Sequence, residues 1–208
     1  MAESYPLSMP TGNIARIRLI GKSVVGVSES PFTFAQQVYR HQGQGWEADI
    51  SLSNMKREDA EAWVSFLLRL RGQYGTFLLG DPNGATPRGS ASTTAGAPVV
   101  KGASQTGDFL NIDGLPTSVT GYLKAGDYIQ LGSGSTATLH KVLEDVNSNA
   151  SGEATLNLFP SVRNAPADNA VITVTNCKGN FRLNVNETSW DINTMSVYGI
   201  TFGAVEAI

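Results

Sequence analysis

The chain has 208 residues, of which 41% are hydrophobic and only 16% charged, and its formal net charge is −3. This length suffices for one large or two small domains, and the slightly acidic balance argues against duplex nucleic-acid binding, which needs a basic face. A single cysteine, Cys177, excludes an intramolecular disulfide and a multi-cysteine metal site. No apolar run reaches the roughly 20 residues of a membrane helix, and no signal-peptide pattern is visible, so we expect no membrane partner and synthesis in a cytoplasm.

The chain begins with a polar stretch that predicts an irregular arm, and strands follow. Alternating apolar and polar residues predict one or two strands over residues 14–27, with a break near Gly21. Residues 32–39 predict extended structure, and the glycine-rich residues 41–45 predict a turn. Residues 46–52 alternate again and predict a half-buried strand.

A single long amphipathic helix is predicted over residues 54–71. Ser53 or Asn54 is placed to cap its start, and Gly72 to end it. A short apolar strand, residues 76–79, comes next. The apolar face of this helix consists of Met55, Trp63, Phe66, Leu67 and Leu70. We expect this face to pack against a sheet, with Trp63 and Phe66 buried.

The composition changes at Gly80. Residues 81–98 are dense in Gly, Pro, Ser and Thr and predict a linker or a long loop. Six short strands separated by turns follow, which is typical of a small β-barrel or sandwich. The predicted strands are Ala97–Lys101, Phe109–Ile112, Tyr128–Leu131, Ala137–Leu143, Ala154–Phe159 and Ala170–Thr175.

The C-terminal residues return to longer strands, over 181–185 and 197–205. The last strand resembles the opening strands in length and apolarity, which indicates a discontinuous domain made of residues 1–80 and 176–208. Residues 81–175 then form an insertion whose two ends lie side by side. The predicted fold class is mainly β: a β-sheet domain with one packed helix, plus an inserted small β-barrel or sandwich.

No catalytic, cofactor-binding or metal-binding residue is predicted. His41 is interpreted as a solvated turn residue, and His140 as an exposed or hydrogen-bonded strand residue whose replacement by Ala should leave stability nearly unchanged. Cys177 is interpreted as a buried inert thiol. On a strand, the adjacent residues Glu144 and Asp145 would face opposite sides, so they are not expected to act together as glycosidase carboxylates. The run from Asp81 to Gly84 lacks the remaining ligands of a calcium loop and predicts an ordinary turn.

Three segments together resemble the distal tail protein family of long flexible-tailed bacteriophages. They are WEADISLSNMKREDAEAWVSFLLRLRGQYGTFLLGDP, AGDYIQLGSGSTATLHKVLEDVNSNASGEATLNLFPSVRNAPADNAVITVTN and KGNFRLNVNETSWDINTMSVYGITFGAVEAI. The resemblance is one of overall pattern, without a single diagnostic motif. It implies a belt domain, with its helix at residues 54–71, and a second small barrel domain that faces outward.

The resemblance also implies a function. Proteins of this family are non-enzymatic virion components of the tail tip, assembled in the host cytoplasm, whose belt domains form a ring of six copies. The implied partners are the tail tube protein, tail hub or baseplate proteins that carry the receptor-binding machinery, and the tape measure protein. DNA passes through the ring without sequence-specific binding.

Two alternatives remain open at this point. Many family members carry the outer domain after the belt, whereas this sequence predicts an insertion, so another minor tail or tail-completion protein fits as well. A glycan-binding module on the tail is the second alternative. It needs exposed aromatic residues, and the segment 81–175 offers only Phe109, Tyr122, Tyr128 and Phe159, of which at least two are expected in the core.

Overall fold

The computed structural model describes residues 3–208, which form two β-sheets and an α-helix. The strands are β1 (Leu7–Ser8), β2 (Ile14–Glu29), β3 (Gln36–Leu52), β4 (Met55–Lys56), β5 (Phe77–Leu79), β6 (Val99–Val100), β7 (Gly107–Asp113), β8 (Tyr128–Leu131), β9 (Thr138–Val142), β10 (Ala154–Val162), β11 (Ile172–Thr173), β12 (Gly179–Leu183), β13 (Trp190–Ile192) and β14 (Val197–Glu206). The helix α1 spans Arg57–Arg69, and short 3₁₀ turns occur at Ser90–Ser92 and Gly134–Thr136.

The two sheets differ in whether their edge strands are joined to each other. The large sheet has the order β1-β5-β12-β14-β3-β2, and β4 and β13 also pair with β14. The second sheet has the order β11-β8-β9-β10-β7-β6, and an antiparallel bridge between Val99 and Val171 joins its two ends. This bridge closes the second sheet into a small barrel. The predicted fold class, mainly β with one packed helix and a small β-barrel, is confirmed.

The large sheet is drawn from both ends of the chain, and the barrel lies between them in sequence. Strand β5 pairs antiparallel with β12, with Leu79 opposite Gly179. The expectation that the two ends of the intervening segment lie side by side is therefore confirmed. Gly80 sits at this junction, where a Cβ would lie 2.1 Å from the carbonyl oxygen of Cys177, so the chains can approach this closely only with glycine.

Helix α1 covers one face of the large sheet. Trp63 and Phe66 are 1% and 3% exposed, as the apolar spacing predicts. The ring of Trp63 lies 6.3 Å from that of Phe202, and Phe66 meets Phe77 edge to face at 5.5 Å. An aromatic cluster thus fixes the helix on the sheet.

The helix begins later than the sequence predicts. Residues 55–56 form β4, which pairs with Val197 and Tyr198, so sheet pairing replaces the predicted first turn. The predicted caps Ser53 and Asn54 are wrong: the N-cap is Lys56, which makes no side-chain capping hydrogen bond. Glu58 and Asp59 lie in the first turn, where their charges favour the positive end of the helix dipole.

The end of the helix follows the prediction closely. Leu70 is the C-cap, and Arg71 and Gly72 follow with left-handed backbone at φ 51° and 66°. The amide of Gly75 then donates to the carbonyl of Leu70 at 2.8 Å, which closes the last turn.

Residues 81–98 are an ordered loop of the barrel. Asp127, only 4% exposed, accepts hydrogen bonds from the amides of Arg88 and Gly89 at 2.8 and 3.1 Å. Ala91 is buried in the barrel core. The sequence pattern left linker and long loop open, and the long loop is what the structure contains.

The barrel and the large sheet meet around Trp46. Its indole Nε1 donates to the carbonyl of Leu139 at 2.9 Å, and its ring packs edge to face on Phe159 at 5.1 Å. Tyr128 also contacts it, at 6.5 Å between ring centres. Because Trp46 and Ile50 share one face of β3, the barrel and the helix cover the same side of the sheet.

Two expectations for the first strands are wrong. Strand β2 runs from Ile14 to Glu29 without a break at Gly21. Residues 41–45 are part of β3 and do not form a turn. The strands pair on both sides of an irregularity between the pairs Ser23–Gln44 and Val25–Arg40, and this pairing overrides the local turn preference of the sequence. The short strand β1, which pairs parallel with β5, lies in the stretch expected to be irregular.

No α-helix among residues 3–208 is long and apolar enough to cross a membrane.

Candidate assembly surface

The outer halves of β2 and β3 form a two-stranded arm, defined here as residues 22–44. Its strands pair antiparallel as far as Glu29 opposite Gln36. At roughly 3.3 Å per residue, the eight residues of β2 in the arm extend about 25 Å. Residues 22–43 are exposed on both faces of the ribbon, apart from Gly26 and Ser30, which are half-buried.

The arm carries a concentration of exposed apolar side chains. Nearly half of the exposed large hydrophobic residues within 3–208 lie between Val24 and Tyr39. The tip holds the most exposed of them, Phe32 at 92%, together with Phe34 at 74%. Val27 and Val38 sit directly opposite each other on one face of the ribbon. Scattered exposed apolar residues are normal on a monomer, but a cluster of this kind makes the arm a candidate interaction surface.

The tip of the arm is a compact turn. The amide of Ser30 donates to the carbonyl of Ala35, and the amide of Phe34 to that of Ser30, both at 2.9 Å. Phe34 adopts a left-handed φ of 56°, an uncommon conformation for a residue with a bulky side chain. The hydrogen-bonded turn therefore presents two aromatic rings to solvent in a defined geometry.

Strand β2 is also the free edge of the large sheet. It runs for 16 residues with β3 as its only sheet neighbour among the described strands, whereas the opposite edge, β1, has 2 residues. Long, unprotected edges are rare in monomeric proteins because their backbone groups can pair with another chain. The edge and the arm together form one open region of the molecule.

The face of the large sheet opposite the helix carries paired charges. Arg18 lies 3.5 Å from Asp49, and Lys22 lies 2.7 Å from Glu47, each pair across β2 and β3. All four side chains are at least partly exposed, so these pairs add little to stability. Their effect is to balance charge on this face.

The root of the arm is joined to the barrel by a polar network. The side chain of Gln44 accepts from the amide of Ser161 at 2.8 Å, and its carbonyl accepts from Arg163. Arg163 also lies 2.8 Å from Glu206, whose side chain is only 2% exposed. Glu206 accepts in turn from the amide of Trp46 at 3.2 Å. A partly buried ion pair between the barrel and the final strand thus adjoins the root of the arm.

The two histidines lie in different environments. His41 is exposed on the arm and packs edge to face on Tyr39 at 4.8 Å. His140 is 2% exposed: its Nδ1 donates to the carbonyl of Pro160 at 2.7 Å, and its Nε2 lies 2.9 Å from the Thr138 hydroxyl. Burial lowers the pKa of His140 to about 4. The hydrogen-bonded interpretation is confirmed, and the exposed one is wrong. The small effect expected of His140→Ala stays a prediction.

The other residues singled out in the sequence have structural roles. Cys177 is buried, and burial raises the pKa of its thiol to about 12, as expected for an inert cysteine. Asp81 accepts from the amides of Asn83 and Gly84, so the predicted turn is confirmed. Glu144 and Asp145 follow β9 instead of lying on it, and bond separately, Glu144 to Asn157 and Asp145 to the amide of Ala125.

The barrel offers little for stacking on sugars. Tyr122 and Tyr128 are buried at 0% and 5%, and Phe159 is half-buried against Trp46, so Phe109 is the exposed member of the four aromatics, at 58%. Among the described residues there is also no group of three or more potential metal-ligating side chains. The feature with a distinct chemical character is therefore the arm with its free edge. Sequence reasoning predicted extended structure in this region but missed that its apolar side chains are exposed.

Comparison with known proteins gives no relative: no family model and no curated protein matches this chain.

Proposed function

We propose that this chain is a structural, non-enzymatic subunit of a bacteriophage tail tip, and that six copies form a closed ring through the large sheet and its arm. The observation that carries the proposal is the arm, residues 22–44, which exposes aromatic and branched apolar side chains on a ribbon that extends away from its own core. The apolar surface of such a ribbon is removed from contact with water only when another chain covers it.

A ring suits the two open features of the large sheet. The free edge of β2 lies on one side of the sheet, and the short strand β1 lies on the other. A contact between two different surfaces of identical subunits is heterologous, and it closes into a ring when the rotation between neighbours divides a full turn. In this ring the arm extends to the neighbouring subunit, and the neighbour buries the apolar residues of the arm.

The ring joins the tail tube protein to hub or baseplate proteins that carry the receptor-binding machinery, next to the tape measure protein. DNA passes through without sequence-specific binding, and no membrane contact is needed. The balanced pairs Arg18–Asp49 and Lys22–Glu47 support this, because paired cations attract phosphate less than free ones. The protein accordingly resides at the tail tip of the virion, after assembly in the host cytoplasm.

The same surfaces serve a neighbouring minor tail or tail-completion protein, which is the main alternative. The arm does not distinguish between these two functions, because any component of a ring needs such an interface. Glycan binding by the barrel has weaker support, since Phe109 alone of its four candidate aromatics is exposed. Sugar-binding sites ordinarily use aromatic faces together with polar groups.

The test is to locate and count the protein in assembled particles. The chain is co-expressed with the other tail proteins of its phage, and tail tips are measured by native mass spectrometry and electron microscopy. We expect six copies in a ring on the tail axis. Density away from the axis, or a mass that corresponds to one copy per tail, would contradict the proposal. A monomer in dilute solution decides nothing, because neighbouring tail proteins contribute to the ring.

A further inference from the structure

We infer that the inserted barrel sets the direction of the arm, through a clasp between Arg40 on the arm and Asp108 on the barrel. This inference rests on the proposed function, in which the arm must meet a neighbouring copy at a defined angle. It assigns to the barrel a role inside the ring, in addition to any contact that it makes outside it.

The arm has a weak point at its root. Ser23 pairs with Gln44, and the next pair outward is Val25 with Arg40. Between these pairs β2 advances by two residues (25 − 23) and β3 by four (44 − 40), so β3 carries two extra residues. Such bulges interrupt the ladder of hydrogen bonds and let a strand bend. The arm is therefore able to pivot at residues 41–43.

The barrel holds β3 on both sides of this pivot. On the inner side, Gln44 is bonded to Ser161 and Arg163. On the outer side, Nη1 and Nη2 of Arg40 donate to the two carboxylate oxygens of Asp108, both at 2.7 Å. A bidentate arginine–carboxylate pair fixes orientation as well as distance. The hydrogen bond from Arg40 also holds the pKa of Asp108 below its ordinary value, so the pair is charged at neutral pH.

An open cleft lies between the two attachments. It has a volume of about 420 Å³ and is lined by Arg40, Gln42, residues 106–108 and residues 161–163. Because no side chain fills this cleft, packing across it does not hold the arm against the barrel. The direction of the arm beyond the pivot consequently depends on the clasp.

The clasp is tested by measuring distances in the full chain. Spin labels are attached at Thr33→Cys on the arm tip and Thr117→Cys on the barrel, both exposed positions. The native Cys177 is buried, so it remains in place as a poorly reactive thiol. Electron–electron double resonance then gives the distribution of distances between tip and barrel.

We expect Asp108→Asn to broaden this distribution about twofold, because a bulged hinge without its clasp samples several orientations. The exchanged pair Arg40→Asp with Asp108→Arg should restore the narrow distribution. Glu61→Gln is the matched control: it removes an exposed pair with Arg57 on α1 and should leave the distribution unchanged. A distribution that Asp108→Asn leaves unchanged, or that the exchanged pair fails to narrow, overturns the clasp.

A second readout separates the clasp from the proposed function. Ring formation is measured for the unlabelled Asp108→Asn chain with its tail partners, and we expect a yield about fivefold lower, the effect of losing one exposed ion pair. If the parent chain forms no ring, the proposed function fails, while the distance distributions still decide the clasp. If Asp108→Asn loosens the arm and rings form at the parental yield, the role of the clasp in assembly is overturned.

Discussion

The barrel and the arm differ in whether their edge strands are paired within the chain. The barrel closes through the bridge from Val99 to Val171 and buries its apolar side chains within itself. The arm leaves the edge of β2 unpaired and exposes Phe32, Phe34 and Tyr39. Closure removes sheet edges, whereas the unpaired backbone groups of an open edge can form hydrogen bonds with another chain. The barrel thus pairs its own edges, whereas the arm leaves its edge free for the assembly that we propose.

Strand β3 contains both a buried and an exposed region. Its inner half, Trp46 to Leu52, alternates between buried and half-buried residues, while residues 36–43 are exposed throughout. A substitution in the inner half or its packing partners should reduce the stability of the isolated chain. A substitution in the outer half should leave it unchanged and affect assembly alone.

The largest effect is expected at the helix that covers the sheet. Trp63→Ala removes a ring that is 1% exposed and packs on Phe66 and Phe202. Truncating a core aromatic residue lowers the free energy of unfolding by about 3–5 kcal/mol. Chemical denaturation of the isolated chain measures this change. A midpoint equal to that of the parent would show that the helix does not hold the sheet.

A slightly smaller effect is expected from pH at His140, where barrel and sheet meet. Its pKa is about 4 in the folded chain, whereas the ordinary value for a histidine is 6.5, so the folded chain binds fewer protons than the unfolded chain between these values. The stability it contributes is full above pH 6.5 and is lost as pH falls toward 4, by about 3 kcal/mol in total.

This prediction is isolated from other titrating groups by His140→Asn, which cannot titrate. The difference in unfolding free energy between parent and variant should shrink as pH falls from 7 to 4. A difference that stays constant over this range would show that His140 is protonated equally in both states.

A smaller effect, with the opposite sign, is expected in the barrel core. The hydroxyl of Tyr122 is buried without a hydrogen-bond partner in the described structure. Tyr122→Phe should therefore raise the unfolding free energy by up to about 1 kcal/mol, because it removes an unsatisfied polar group. The matched control is Tyr128→Phe, which loses the 3.0 Å hydrogen bond from Lys141 and should lower the unfolding free energy. Destabilisation by both changes would indicate a partner for Tyr122 in solution.

The smallest effect on the isolated chain is expected on the arm. Tyr39 is 67% exposed, and Tyr39→Ala should change the unfolding free energy by less than about 0.5 kcal/mol. Compared with Trp63→Ala, it shows how differently two aromatic truncations act on one sheet domain. A loss of several kcal/mol would mean that the arm packs on its own chain.

Much of the sheet domain was predictable, because burial on one face leaves a periodic pattern. The alternation over Trp46–Leu52 and the helical spacing of Trp63 and Phe66 both correspond to buried positions. The adjacency of Leu79 and residues 178–185 also followed from the pattern of long and short strands.

The arm was not predictable in the same way, because neither of its faces is buried in the chain. Gly43 and Gly45 are typical turn residues, yet both lie within β3, where Gly45 pairs with Lys22 of β2. The start of the helix was missed for a related reason: Met55 pairs with Tyr198, a contact 143 residues away (198 − 55). Local preference cannot reveal such pairing.

The central claim is that the arm is an assembly surface, and charge at its tip tests it most directly. Phe32→Asp with Phe34→Asp changes two exposed residues, and Met195→Asp, at 78% exposure outside the arm, is the matched control. Each chain is co-expressed with its tail partners, and ring formation is counted by electron microscopy beside a melting curve of the isolated protein. We predict parental melting for both and loss of rings for the arm variant alone. Rings that form normally with two aspartates at the tip would contradict the account.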